Sequence, residues 1–369
     1  MIKCKNNKSN ISKYLSIMCS ILMVYTGNKI SAQSLNILHL SFHKGCINEI
    51  SLIAEKLGFQ VTSVFVPDIP AQAFDGESSG NALYNIGHDR ALNIWNMHKD
   101  YFNQFDRIMT SDTAPLSRLF LQNHYEKPII IWVCNRFDYA DNASLDCDFP
   151  DEEYYELLRR ASKQKNVHIV PYNAFESFYA AQKNVFFNYS IIKPSGISHQ
   201  LPFTSAIPQH INKQETFFIP AYLNDIVIPR EQLNVPTYKG RYNGPNDIKN
   251  FKGIIHIPYA WSNFAFFENV CNGIPYFIPS YDFMMDLLKS GTIWWVNSNF
   301  FAENYILSEW YDKENSEIIT YFNSWDDLNH KLASTDFDLL KLKIQSFSQI
   351  HITKTLEQWK SIIDDIRNS

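Results

Sequence analysis

Two alternating periodicities constrain this chain more than any other feature, and they first appear at residue 35. LNILHLSF (35–42) is an apolar run of strand length, and INEISLIAEKLG (47–58) spaces its apolar residues as a helix does, stopping at Gly58. FQVTSVFVP (59–67) is a second strand-length run. Strand, helix and strand within ~30 residues make a βαβ unit, whose parallel strands need helices on the sheet faces. The alternation recurs: FDRIMTSD (105–112) leads to TAPLSRLFLQNH (113–124) and then to KPIIIWVCN (127–135). DEEYYELLRRASKQ (151–164) reads as a helix, NVHIVPY (166–172) as a strand and NAFESFYAAQ (173–182) as a helix.

Periodicity then fails. KPSGISHQLPFTSAIPQHINKQ (193–214) is rich in Pro, Ser, Gly and His and marks a linker. Beyond it TFFIPAYL (216–223), VPTYKG (235–240) and GIIHIPYA (253–260) are strand candidates, with GPNDIKNF (244–251) a short helix between the last two. DFMMDLLKSG (282–291) and the tail from SWDDLNHKLAS (324–334) through TKTLEQWKSIIDDIR (353–367) are helical in pattern. The expected fold is α/β: two Rossmann-like domains facing a central cleft, residues 34–190 and 215–350, joined by a linker at 191–214 and followed by a C-terminal helix at 351–369. In open parallel sheets ligands bind beyond the carboxyl ends of the strands, so functional residues are sought there.

With 369 residues, 45% of them hydrophobic, the chain can bury two cores. A net charge of −5 and the absence of long basic blocks exclude a general nucleic-acid partner. Five lysines (3, 5, 8, 13 and 29) and no acid occupy the first 34 residues, around the apolar run Tyr14 to Tyr25. Basic, apolar and then small at Ala32 is the order of a secretory signal peptide, assigned to residues 1–33. The run is shorter than the ~18–20 residues of a membrane span, so the membrane is expected only through this segment if it stays uncleaved. The expected compartment is secretory (Golgi or ER lumen) or exported, with a cytoplasmic chain as the alternative. The six cysteines are scattered with no metal-knuckle spacing, and sequons stand at Asn142 and Asn188.

One stretch carries chemistry by its spacing. SNFAFFENVCNGIPYFIPS (262–280) follows a strand, opens with the good helix caps Ser262 and Asn263, and stops its helix at Gly273. Phe264, Phe267, Val270 and Cys271 form an apolar stripe, and Glu268 borders it. Glu268, with Gly273 five residues on and Pro275 seven on, resembles the donor-site element of the GT-B glycosyltransferases, in particular retaining members like those of glycosyltransferase family 4. The resemblance covers about residues 215–290 and implies a hexosyltransferase-type enzyme acting on a nucleotide-sugar. In it Glu268 accepts hydrogen bonds from the ribose, and the helix N-terminus faces the diphosphate. Free N–H groups and the helix dipole give that contact its physical basis. The nucleotide-sugar is a co-substrate, and neither cofactor nor protein-bound metal is expected. The fuller motif has a second Glu eight residues before the first, where this chain has Ala260. Ser262 and Asn263 would substitute as neutral donors.

A basic residue on the diphosphate would neutralise leaving-group charge. Arg241, beside Lys239 at a strand end, qualifies by chemistry; the position the resemblance favours holds Asn224, Asp225 and Arg230 instead. In the first domain His43, Lys44 and Gly45 follow the first strand, where a glycine lets a phosphate approach. Asp112 and Thr113 end another strand and would most simply cap a helix. Asn135, Arg136 and Asp138 follow the most apolar strand; they suit polyol recognition or form a local ion pair holding the loop. These groups are the candidates for the acceptor side, a glycan, lipid or protein. His39 on a buried strand reads as a core residue. Asp146 and Asp148 have the spacing of a metal-binding acidic motif belonging to a different, single-domain fold. Beside the transferase reading stands a non-catalytic two-domain protein that clamps a sugar or nucleotide, for which Ala260 is the best argument.

Overall fold

Two five-stranded sheets, each wholly parallel, organise the chain. The computed structural model describes residues 35–69, 83, 86–138, 152–197, 204–221, 227–293 and 299–368. The basic leader, Asp146, Asp148, the Asn142 sequon, Asn224 and Asp225 lie outside the described residues.

The first sheet comprises β1 (Asn36–Ser41), β2 (Gln60–Phe65), β3 (Arg107–Ser111), β4 (Ile129–Val133) and β5 (Val167–Pro171), in the order β2-β1-β3-β4-β5. Helices α1 (Lys44–Leu57), α2 (His88–Phe102), α3 (Glu152–Ala161) and α4 (Ala174–Gln182) accompany them. Every residue of β4 and β5 is buried, as a parallel strand covered on both faces requires. The second sheet comprises β6 (Phe217–Pro220), β7 (Thr237–Gly240), β8 (Gly253–Ile255), β9 (Tyr276–Pro279) and β10 (Ile319–Phe322). Its order, β10-β9-β8-β6-β7, read from the other edge is that of the first sheet. Each domain is therefore a doubly wound unit of 2-1-3-4-5 order, the two-Rossmann arrangement of the GT-B type. Its strand order reverses between β1 and β3 in the first sheet and between β6 and β8 in the second.

Helices α5 (Phe264–Cys271), α6 (Tyr281–Lys289) and α7 (Trp325–Ser334) belong to the second domain. The tail is a single helix, α8 (Phe337–Asn368), where the sequence placed a domain boundary at 350. Leu340 and Ile344 of α8 join the core of the second domain, and Trp359, Ile362, Ile363 and Ile366 join that of the first. One helix thus straps both domains. Residues 194–196 of the crossing segment are fixed as well. The Glu49 carboxyl accepts the Ser195 N–H at 2.6 Å, and a His351 ring nitrogen lies 2.7 Å from the Pro194 carbonyl oxygen. Gly196 sits at φ 72°, where a Cβ would fall 2.5 Å from the Phe267 carbonyl oxygen, so only glycine fits. Among the described residues no helix is long and apolar enough to cross a membrane.

Candidate functional site

Segments that follow β1, β7 and β8 line one cleft of about 530 Å³. Its wall on the first domain is His43, Lys44 and Gly45, directly after β1, with Asn48 and Leu52 of α1. Opposite stand Asn263, Phe264, Ala265 and Glu268 from the segment after β8, and Asn243 to Asn246 from the turn after β7. Ile197 of the crossing segment closes one side.

Helix α5 is held at both ends. The Asn263 side chain accepts the Ala265 N–H at 2.9 Å and donates through its amide to the Tyr259 hydroxyl, also at 2.9 Å. The Asn263 N–H is donated to the carboxyl of Glu309. At the far end Gly273 takes φ 79°, the left-handed turn that stops the helix. Phe264, the first helical residue, docks on the first domain, its ring centroid 5.2 Å from that of His43, 5.4 Å from Tyr172 and 5.5 Å from Trp132. Beside it Trp261 stacks parallel on Phe175 with centroids 3.6 Å apart. Aromatic contact across the domain boundary therefore sets where Glu268 stands.

Charge in the cleft is concentrated. Burial pushes the Glu268 carboxyl above its usual range, and the His43 charge opposes that shift. The His43 imidazole is pushed up by a hydrogen bond with Cys46, against burial, and by the charges of Cys46, Asp112 and Glu268. Asp112 stands at φ 68°, uncommon for a residue with a side chain. Burial, and after it the Cys46 charge, raise its carboxyl to about 7. Gly45 leaves room for the imidazole, since a Cβ there would lie 2.7 Å from His43 Cε1. Lys44 is exposed at the rim, its Nζ 5.0 Å from the Phe65 ring centre.

No family model matches the sequence, and no curated protein matches it. Solved structures similar to it include the glycosyltransferase SnogD from Streptomyces nogalater, 8% identical, with 89% of this chain and 100% of that chain covered and a TM-score of 0.46. UGT89C1 from Arabidopsis thaliana, solved in complex with UDP-L-rhamnose, is 11% identical over 89% of this chain and 99% of that one, with a TM-score of 0.45. A candidate UDP-N-acetylglucosamine 2-epimerase from Listeria monocytogenes is 9% identical over 90% and 97%, with a TM-score of 0.46. The two-Rossmann fold stated above rests on the strand order of this chain.

The cleft brings together His43, Lys44, Gly45, Asn263 and Glu268 of the residues singled out from the sequence. Asp112 joins them through its charge. The others stand elsewhere. Arg241 is exposed and outside the lining, and Ser262 precedes the cap without lining the cleft. Thr113 is buried and precedes a short 3-10 turn that it does not cap through its side chain. Asp138 is buried and accepts hydrogen bonds from the Tyr155 and Tyr179 hydroxyls at 2.6 and 2.9 Å, which ties down its loop. Neither it nor Asn135 nor Arg136 lines the cleft. His39 is a core residue, its ring nitrogens bonded to Ser63 and Ser111. Three contributors had no sequence signal beyond a polar residue near a turn: Asn243, Asn246 and Glu309. No group of three side chains that could hold a metal occurs among the described residues.

Proposed function

We propose that this chain is a glycosyltransferase that holds a nucleotide-sugar in the cleft between its two domains and passes the sugar to an acceptor hydroxyl. The observation that carries the reading is one cavity lined by segments that follow strands of both sheets, with Glu268 on one wall and His43 on the other. Glu268 would accept the two ribose hydroxyls. Lys44, the amides of Asn243 and Asn246 and the start of α5 would meet the diphosphate, so that leaving-group charge is stabilised without a protein-bound metal. His43 would take the acceptor proton as the acceptor oxygen bonds to the anomeric carbon and the nucleoside diphosphate departs. A base facing the cleft favours direct displacement with inversion; the retaining course is carried by the motif resemblance alone. The export-type leader fits a Golgi-like lumen supplied with activated sugars.

Incubation with a panel of nucleotide-sugars, read as released nucleoside diphosphate and as anomeric configuration of the product, tests the reading. One donor should turn over, with His43→Ala lowering kcat by about 10²-fold or more. Binding of a nucleotide-sugar with no release would favour the non-catalytic clamp, and neither binding nor release would sink the reading.

A further inference from the structure

Beneath the cleft two cysteines 88 positions apart converge because β1, β3 and β4 are neighbours in the sheet. Cys46 lies in the first turn of α1 and is completely buried; Cys134 follows β4 and is 8% exposed. Both are free thiols, with sulfurs 3.9 Å apart. Cys134 is also 3.5 Å from the Trp132 carbonyl oxygen. His43, the residue that precedes α1, stands three positions ahead of Cys46, and both it and Ser111 act on the Cys46 thiol. A helix N-terminus and a neighbouring imidazole are the surroundings that favour a thiolate. Burial opposes that ionisation, but the hydrogen bonds from Cys134, His43 and Ser111 outweigh it and bring the Cys46 thiol down to about 6. The Cys134 thiol is pushed well above its ordinary value, first by burial and then by its bond to Cys46. The two thiols are thus shifted in opposite senses, Cys46 down and Cys134 up.

We propose that Cys46 and Cys134, whose sulfurs are 3.9 Å apart, form a reversible dithiol–disulfide pair, oxidised by hydroperoxides, whose oxidation removes the Cys46 thiol that acts on His43. The Cys46 thiolate attacks one peroxide oxygen, the O–O bond breaks, and hydroxide leaves, taking up a proton, to give a sulfenic acid. The Cys134 sulfur then attacks the Cys46 sulfur; the S–O bond breaks and the departing hydroxide leaves as water with the Cys134 proton. Overall two thiols and one hydrogen peroxide give one disulfide and two waters, with two electrons passing from sulfur to oxygen. Forming the disulfide closes the sulfur contact from 3.9 Å to ~2.05 Å.

The consequence falls on His43. With the thiols reduced, Cys46 raises the His43 imidazole above its ordinary value. A disulfide carries no charge and accepts no proton. Asp112 from the end of β3 and Glu268 from α5 then remain as the acids acting on the ring, with Lys44 beside it in sequence. The imidazole returns toward its ordinary value and becomes a neutral base near pH 7. An effect on turnover rests on the proposed transferase reading; the sulfur chemistry and the His43 titration do not.

The test uses the full folded chain, with Cys4 and Cys19 changed to Ser to silence the leader thiols. After hydrogen peroxide and alkylation, peptide mapping should find a Cys46–Cys134 disulfide that dithiothreitol reverses. Cys271, whose thiol burial raises to about 12, should remain free. Cys134→Ser should stop at a Cys46 sulfenic acid that dimedone traps. NMR titration of the His43 ring should show its pKa fall by about one unit on oxidation and recover on reduction. No 46–134 crosslink in folded wild type, or a crosslink that leaves the His43 titration unmoved, would overturn the proposal. Should transfer prove absent, both readouts still decide it.

Discussion

Asn263 donates its backbone N–H to the buried carboxyl of Glu309, 46 positions away, at the point where α5 begins. Burial holds that carboxyl well above its usual range. The Glu309 N–H in turn reaches the Trp261 carbonyl at 3.0 Å. Glu309 is a positioning residue for the helix that carries Glu268.

Glu309→Ala strands the Asn263 N–H and should cost about 1–3 kcal/mol in urea unfolding. Glu309→Gln keeps an acceptor at the same place and should recover most of that loss. Equal losses in both variants would show that the carboxyl acts through something other than this bond.

Phe264 ties α5 to the first domain through Trp132, Tyr172 and His43. Its removal in Phe264→Ala should cost about 2–3 kcal/mol, below the 3–5 of a fully buried ring because Phe264 is only half-buried. Hydrogen exchange in residues 264–271 should rise with it. Unchanged exchange there would mean that the second domain alone holds the helix.

Buried carboxyls set the pH dependence of stability. Burial raises Glu49 from 4.5 to about 7 and Glu176 from 4.5 to about 8, and holds Glu309 well above its usual range. Between their unfolded and folded values these groups keep protons that the unfolded chain has released, so stability falls as pH rises. Buried His39 and His256 are lowered from 6.5 to about 3, so their contribution is complete above 6.5 and is lost as pH falls toward 3. Cys46 and His43 shift in opposite senses, so their contributions to the pH dependence oppose each other. Stability should drop by a few kcal/mol, in order of magnitude, between pH 6 and pH 8, and drop again below about pH 4.5. A calorimetric melting temperature that rises from pH 6 to pH 8 would contradict the assignment of buried, protonated carboxyls.

Gly45→Ala places a Cβ against the His43 ring rather than against backbone. The ring can swing away, so stability should change by less than about 1 kcal/mol. The His43 titration should move toward its ordinary value as contact with Cys46 is lost. A large loss of stability with unchanged titration would mean that the ring cannot move.

The strand–helix alternation was legible because parallel strands buried on both faces read as continuous apolar runs. IIIWV of β4 is the clearest, whereas ITYF of β10 is four residues long and offers no pattern. Glu268, Asn263 and Gly273 were legible because a cap, a stop and a carboxylate at fixed spacing define one helix. Asn135, Arg136 and Asp138 form an equally polar cluster after a strand. Only the fold shows Asp138 turned inward onto Tyr155 and Tyr179. Glu309 was hidden for the opposite reason, lying in short 3-10 turns whose partner is 46 positions away. Long-range pairing leaves no local periodicity to read.

The central claim is that Glu268 marks a nucleotide site. Calorimetric titration of UDP, GDP, ADP, CDP and TDP into the wild type and into Glu268→Ala tests it most directly. At least one diphosphate should bind the wild type. Glu268→Ala should weaken it tenfold or more, about 1.4 kcal/mol, while the variant unfolds as cooperatively as before. A wild type that binds none of the five, or a folded Glu268→Ala that binds as tightly as the wild type, would contradict the account.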